Sequence, residues 1–239
     1  MLDHTSAKPL YVQLEEVIRD NLDNQIWVSG ALIPSENELS REYGISRMTV
    51  RNVITKLVQE GLLFRIPGKG TYVSEPKIVA KTLSYAGIRE QLEQMGYEVT
   101  TKLLEAVVKK VSKDICDLFE VDPDSLFYVI KRIRYVKNEP FSLHTSYIPA
   151  DLAPGLDKLD LVSEQLCTIL SNEYGLIRKN TQETLESVAA SKEEAKLLKI
   201  PVNHPLLLLY DTIIGENGKP FELSSVLFRG EKIKLKLVF

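Results

Sequence analysis

Apolar residues set the reading of the first third of the chain. After Pro9, Leu10, Leu14, Val17, Ile18 and Leu22 recur at three- and four-residue spacing, which predicts an amphipathic helix to about Gln25. The polar stretch "IPSENELSREYG" follows. Its Ser35 and Glu38 have the spacing of a capping box, in which hydroxyl and carboxylate satisfy each other's free backbone N–H at a helix start. Leu39 and Tyr43 give this short helix an inner face, and Gly44 suits a left-handed C-terminal cap. Ser46 then opens another helix, in which Val50, Val53, Ile54 and Leu57 form one apolar stripe. That stripe leaves Arg47, Thr49, Arg51, Asn52 and Lys56 facing away from the core. Two helices around a tight glycine-containing turn make a helix-turn-helix, whose second helix is built to enter the major groove. In "GLLFRIPGKGTYV" two short β-prone runs flank Pro67-Gly68-Lys69-Gly70, so a hairpin wing with a glycine tip is expected.

Beyond Ser74 the pattern alternates between period two and period three to four. A short connecting segment at about 76–81 is expected, then a helix over Ile88–Met95 ended by Gly96. A strand over "VTTKLLEAVVKKV" and a helix opened by Ser112 follow. "SLFYVIKRIRYVKNEPFSLHTSYIPADL" reads as two strands around Asn138-Glu139, and "SEQLCTILSNEYG" as another capped helix. "LIRKNTQETLESVAA" is a strand and "SKEEAKLLKI" a helix. The end of the chain holds two or three strands, with Asn217-Gly218 a strong hairpin signal. Strand-rich order with hairpins and no glycine-rich phosphate loop predicts an α+β fold with an antiparallel sheet.

Length supports two domains: 239 residues divide naturally into 1–75, a linker at 76–81, and 82–239. The 44% hydrophobic content is enough for packed cores. Net charge, −3, gives no global sign of nucleic-acid binding, so any such activity must be local. It is local. From Arg41 to Val73 six bases (Arg41, Arg47, Arg51, Lys56, Arg65, Lys69) face two acids (Glu42, Glu60), a surplus of four, while the first helix carries Glu15, Glu16, Asp20 and Asp23. An arginine pair on a helix is by itself more often a solvated face. Joined to the tight turn and the glycine-tipped hairpin, it is the footprint of a DNA-reading surface. Cys116 and Cys167 are too few and too far apart for a disulfide framework. With no secretory leader and no membrane-length apolar run, a cytoplasmic protein with reduced thiols and no membrane partner is expected.

The segments "PLYVQLEEVIRDNL" and "IPSENELSREYGISRMTVRNVITKLVQEGLLFRIPGKGTYV" resemble the winged helix of GntR-type transcription regulators over nearly its full length. The resemblance implies base-edge contact by Arg47 and by Asn37, which follows Glu36. It implies phosphate contact by Ser35, Ser46, Thr49 and Arg51, and minor-groove insertion of the wing at Gly68. With Glu36, Lys69 and Gly70 these residues form the expected DNA-binding set. Close relatives often carry arginine at the position of Asn37. Asparagine pairs with adenine where arginine pairs with guanine, so the operator is expected to differ there.

Residues 82–239 resemble the UTRA ligand-sensing domain of the HutC branch, which has the chorismate-lyase-like fold. The marks are "KRIRYVKNEPFSLHTSYIP", "TLESVAASKEEAKLL" and "PFELSSVLFRGEK". Arg132 and Arg134 share one strand face and make a fork for phosphate or carboxylate, or else they pair with Glu183 or Glu186 on a neighbouring strand. Glu222 and Ser224 are expected to bond a hydroxylated effector. Relatives that sense phosphorylated sugars imply phosphate contact at Ser84 and Tyr85. His144 stands where some of them have glutamate, so it is either an effector contact or a structural group. No catalytic residue set, metal-ligand spacing or cofactor motif emerges. The function expected is a homodimeric repressor, released from double-stranded operator DNA by a small anionic effector such as a sugar phosphate. The alternative is a small-molecule enzyme of the lyase-like fold with a vestigial DNA-binding module.

Overall fold

The computed structural model describes residues 2–75, 77–81 and 88–236. The chain separates into two compact units, Met1–Lys77 and Ile78–Phe239.

In the first unit three helices, α1 (Leu10–Asp23), α2 (Glu36–Tyr43) and α3 (Arg47–Gln59), precede a hairpin of β1 (Leu63–Ile66) and β2 (Gly70–Val73). The capping residues act as their chemistry dictates. Ser35 accepts the N–H of Glu38, whose carboxylate accepts the N–H of Ser35 at 2.7 Å, and Gly44 ends α2 at φ 67°. Two residues later Ser46 caps α3 by accepting the N–H of Thr49 at 3.1 Å. Leu14 and Ile18 from α1, Leu39 from α2, and Val50, Val53, Ile54 and Leu57 from α3 close one core with Leu63 and Val73 of the hairpin. Burying each of these aliphatic side chains contributes about 1.5–3 kcal/mol, so this core fixes the angle between α2 and α3. Residues 30–33 brace the wing: Ile33 N–H bonds Thr71 O at 2.9 Å and Val73 N–H bonds Ala31 O at 2.9 Å.

The second unit is built on one antiparallel six-stranded sheet. Its strands are β4 (Val99–Lys110), β5 (Leu126–Val136), β6 (Glu139–Pro149), β7 (Arg178–Ala189), β8 (Pro205–Gly215) and β9 (Pro220–Arg229), in the order β4-β5-β6-β9-β8-β7. Among the described residues four α-helices cover it. On one face α4 (Ile88–Gln94) packs on Leu209, Val226 and Phe228, and α6 (Leu166–Tyr174) packs on Tyr128, Ile130 and Ile148. On the other face α5 (Lys113–Phe119) meets Phe127 and Leu223, and α7 (Lys192–Leu198) meets Ile133, Leu143 and Leu206. The central strands β5 and β6 are therefore buried on both faces.

Three expectations need correction. Residues 78–81, assigned to the linker at 76–81, form a strand, β3 (Ile78–Lys81), parallel to the late strand β10 (Ile233–Lys236). Burial of Ile78, Ala80 and Ile233 with α4 holds this pair to the second unit, a contact across more than 150 residues that no local pattern announces. The β5–β6 turn is Lys137-Asn138, both left-handed at φ 52° and 62°, which is the type I′ geometry matched to strand twist. The helix read over "SEQLCTILSNEYG" starts later than the first residue of that stretch, Ser163. Asp160 Oδ1 accepts the N–H groups of Val162 and Ser163 at 3.0 and 2.9 Å, and the helix begins only at Leu166.

Candidate DNA-reading face and effector cavity

On the first unit a cleft lies between the wing and the starts of α2 and α3. It is lined by Ser35, Glu36, Asn37, Arg47, Arg51, Arg65, Gly68, Lys69 and Gly70. Ser46 and Thr49 lie outside it, at the N-terminus of α3, where their hydroxyls bond each other at 2.8 Å. The wing tip depends on its glycines. Gly68 takes φ 75° and Gly70 φ 124°, and a Cβ on Gly70 would come within 2.6 Å of Leu32 Cδ1. Phe64 and Tyr72 stack across the hairpin at 5.6 Å.

Glu36 organises the charge of this cleft. Its carboxylate accepts from Arg51 Nε at 3.0 Å and from Arg65 Nη2 at 3.0 Å, with Arg47 Nε at 3.9 Å. Arg65 also bonds Thr55 Oγ1 at 3.2 Å. The arginine side chains are 40–60% exposed, so these pairs add little to stability. What they supply is order, since three guanidiniums converge on one anion. Lys56 is not part of this face. It pairs with the buried Glu15 of α1 at 2.8 Å, and Arg19 bonds the same carboxylate, holding Glu15 below the usual carboxylate range. Lys56 thus ties α1 to α3, and the cationic stripe on α3 is Arg47 and Arg51.

The second unit holds a cavity over the middle of its sheet, between α4 and α6. It is lined by Arg132, Arg134, His144, Asp211, Glu222 and Ser224, with Ile88, Leu166 and Cys167 from the helices. Register explains the grouping. Arg132 pairs with His144, His144 with Val226, Ser146 with Ser224 and Ser224 with Asp211, so all these side chains leave one face. Arg132 and Arg134 are only 5% and 6% exposed, and neither has a salt bridge among the described residues. The pairing with Glu183 or Glu186 does not form, because β7 lies at the far edge of the sheet from β5. Burial pushes the Arg134 guanidinium down to about 9, with Arg132 and Arg89 adding to the effect. Burial, then Arg134 and Arg132, keeps the His144 imidazole neutral well below its ordinary range, and its Nε2 lies 2.7 Å from Ser142 Oγ. Glu222 is raised by burial, against the pull of Ser146 and Arg132. Asp211 is pushed up to about 7 by burial and by Glu183 and Glu222.

Residues 10–73 match the model for bacterial regulatory proteins of the gntR family, and residues 94–234 match the UTRA domain. YurK of Bacillus subtilis (strain 168), an uncharacterized HTH-type transcriptional regulator, is 31% identical over 98% of this chain and 96% of its own length. The chain belongs to the GntR family. A probable fructoselysine utilization operon transcriptional repressor of Shigella flexneri is 27% identical over 98% of this chain and 96% of its own. The crystal structure of PhnF from Mycobacterium smegmatis has the same fold, with a TM-score of 0.67 and 22% identity over 97% of this chain and 99% of its own. This GntR-family chain is a DNA-binding transcriptional repressor of the HutC type and not an enzyme.

Among the residues expected from sequence, one cleft collects Ser35, Glu36, Asn37, Arg47, Arg51, Gly68, Lys69 and Gly70, and one cavity collects Arg132, Arg134, His144, Glu222 and Ser224. Ser84 and Tyr85 lie outside the described residues. Arg65 was legible as one more base on the wing, but its place beside Glu36 was not. Asp211 carried no signal, since an acid within "LLLLYDTIIG" reads as a strand end until the register places it opposite Ser224. Among the described residues no helix is long and apolar enough to cross a membrane.

Proposed function

We propose that this GntR-family repressor is a homodimer released from a near-palindromic operator by a small anionic effector, and that it works in the cytoplasm. In this reading the unit up to Lys77 reads DNA and the unit from Ile78 binds effector and dimerises. Arg47 and Asn37 reach base edges from the cleft, while Ser35, Ser46, Thr49 and Arg51 hold phosphates, and the Gly68-Lys69-Gly70 tip enters the adjoining groove. Glu36 fits as the anchor of the arginines, because a carboxylate turned toward phosphate is repelled.

The observation that carries the effector half is the pair of buried guanidiniums, Arg132 and Arg134, on the wall of a cavity. Arg132 Nε and Arg134 Nε and Nη1 have no hydrogen-bond partner among the described residues. Each orphaned buried donor costs about 1–3 kcal/mol, so a fold that keeps three of them side by side favours an oxyanion there. A sugar phosphate suits the site because Ser224, Ser146 and Glu222 line the same face for hydroxyl groups. The relative named for fructoselysine utilization supports a sugar-derived metabolite. Release requires that the effector bind the DNA-incompetent arrangement more tightly than the competent one.

The test is operator binding, using an operator selected from a random pool, with and without a panel of sugar phosphates. Arg132→Ala should keep operator affinity and lose the response. If no compound alters DNA binding by the wild-type protein, the sensor reading fails. A misfolded Arg132→Ala variant would instead assign the arginine to packing, in which case Arg132→Lys, keeping charge but not the fork, should still weaken the response.

A further inference from the structure

The residue of α3 that points most directly away from the core is apolar. Val50, Val53, Ile54 and Leu57 form the buried side of this helix. At about 100° per residue, the direction opposite their mean passes within about 20° of Met48, with Arg47 and Thr49 roughly a quarter-turn to either side. Met48 is 62% exposed, and among the described residues it is the large apolar side chain that α3 leaves to solvent. A lone exposed methionine is ordinary on a protein surface. The position of this one is not. It stands in the turn that Ser46 caps, between Arg47, which lines the cleft, and Thr49, whose hydroxyl bonds that of Ser46 at 2.8 Å. Asn52 and Thr55 continue its line along the helix. Thr55 Oγ1 accepts from Arg65 at 3.2 Å, and Asn52 is exposed.

The polar neighbours have phosphate oxygens and base-edge donors and acceptors to meet. Met48 has no charge, no donor and only a weak acceptor in its sulfur, so it gains nothing from either. The floor of the major groove presents one apolar group, the C5-methyl of thymine. An unbranched, polarizable thioether adapts readily to so small a partner. Such a contact gains from apolar area removed from water rather than from charge. It therefore depends on sequence and not on salt, the reverse of a phosphate contact.

We propose that Met48 reads thymine, packing its side chain on the C5-methyl of one thymine in the operator half-site. The inference rests on the preceding reading in which the first turn of α3 enters the major groove. It adds an apolar specificity-determining residue to the polar pair Arg47 and Asn37. A 5-methylcytosine offers the same methyl, and an operator selected from unmethylated DNA leaves thymine as the only source.

Deoxyuridine differs from thymidine by that methyl alone. In an operator selected from a random pool of unmethylated DNA, each thymidine is replaced in turn by deoxyuridine, and binding of the full chain is read by fluorescence anisotropy. One replacement in a half-site should weaken wild type about fourfold, the effect of one buried methyl group, with the salt slope unchanged. Met48→Ala exchanges an exposed residue for a good helix former, so it should melt as wild type does. It should bind the thymidine and deoxyuridine operators equally, while Met48→Leu keeps the preference for the methyl. Persistence of the preference in Met48→Ala would assign the methyl to another side chain and overturn the proposal. No penalty at any position in wild type, with Arg47→Ala still relaxing specificity, would overturn the role of Met48 and leave α3 in the groove. No penalty in wild type, with Arg47→Ala weakening all sequences alike, would overturn the groove reading itself.

Discussion

Glu36→Gln isolates the role of the carboxylate on which Arg47, Arg51 and Arg65 converge. The folded state should scarcely notice it. The pairs to Arg47, Arg51 and Arg65 involve side chains 40–60% exposed, and such pairs are worth about 0–1 kcal/mol. Glu36 also stands in the first turn of α2, where a negative charge gains about 0.3–1 kcal/mol from the helix dipole. A melting temperature lowered by a few degrees is therefore the most that stability should show. DNA binding should change in two opposed ways. With the carboxylate neutralised, one more guanidinium is available to phosphate, and the slope of log Kobs against log[salt] should steepen by about 0.9 on random-sequence DNA. Over a roughly fourfold change in salt this is a further factor of about three in non-specific affinity. On the operator the same change replaces one of the two oxygens that hold Arg51 and Arg65 at 3.0 Å with an NH2 donor, so one of the two arginines loses its acceptor. Losing one well-placed base contact costs about 1–3 kcal/mol of discrimination, so the ratio of operator to random-DNA affinity should fall about tenfold. Fluorescence anisotropy on both DNAs across a salt series reads both effects. If Glu36→Gln leaves the slope and the ratio unchanged, the carboxylate does not organise the arginines for DNA.

Arg47→Ala should cost about 1–3 kcal/mol on the operator and relax specificity at one position, whereas Lys69→Ala should weaken all sequences alike and lower the salt slope by about one; equal, sequence-blind losses would make Arg47 a phosphate contact only. Gly70→Ala should destabilise the first unit by about 1–3 kcal/mol in a thermal melt, because its Cβ would come within 2.6 Å of Leu32 Cδ1 at φ 124°, while Gly68→Ala, with open space around it, should cost about 1 kcal/mol. Asp211, held at about 7 above an ordinary 3.8, binds its proton more tightly in the folded than in the unfolded state. Its contribution is therefore present below about pH 4 and lost as pH rises through 7. Urea unfolding should show wild type losing about 2–3 kcal/mol relative to Asp211→Asn between pH 5 and 8, and a flat difference would mean that the carboxyl is not buried.

The two halves differ in how much of them the sequence determines. In the first unit the structural signals are local. Ser35 with Glu38, Gly44, Ser46 and Gly68-Lys69-Gly70 act within a turn or two of where they are written, so the caps, the helix-turn-helix and the wing are legible from spacing alone. Side-chain pairing is less so: Lys56 looked like one of the outward cations, and only the packing of α1 on α3 gives it Glu15 for a partner. In the second unit the strands and helices are legible as elements, and Arg132 and Arg134 as a pair on one face. Their surroundings are not, because the order β4-β5-β6-β9-β8-β7 joins segments far apart in the chain through backbone hydrogen bonds that are the same for every side chain. Strand order and register set Asp211 beside Ser224 and move Glu183 away from Arg132. A shift of one residue in either pairing would turn these groups to the opposite face. The sequence by itself thus determined a winged helix with a basic recognition face and the presence of paired arginines on a strand. The tertiary structure alone decided that those arginines are buried with guanidinium donors that find no partner among the described residues, that an acid with an unsatisfied oxygen stands three strands away, and that Glu36 gathers the cations of the candidate DNA-reading face.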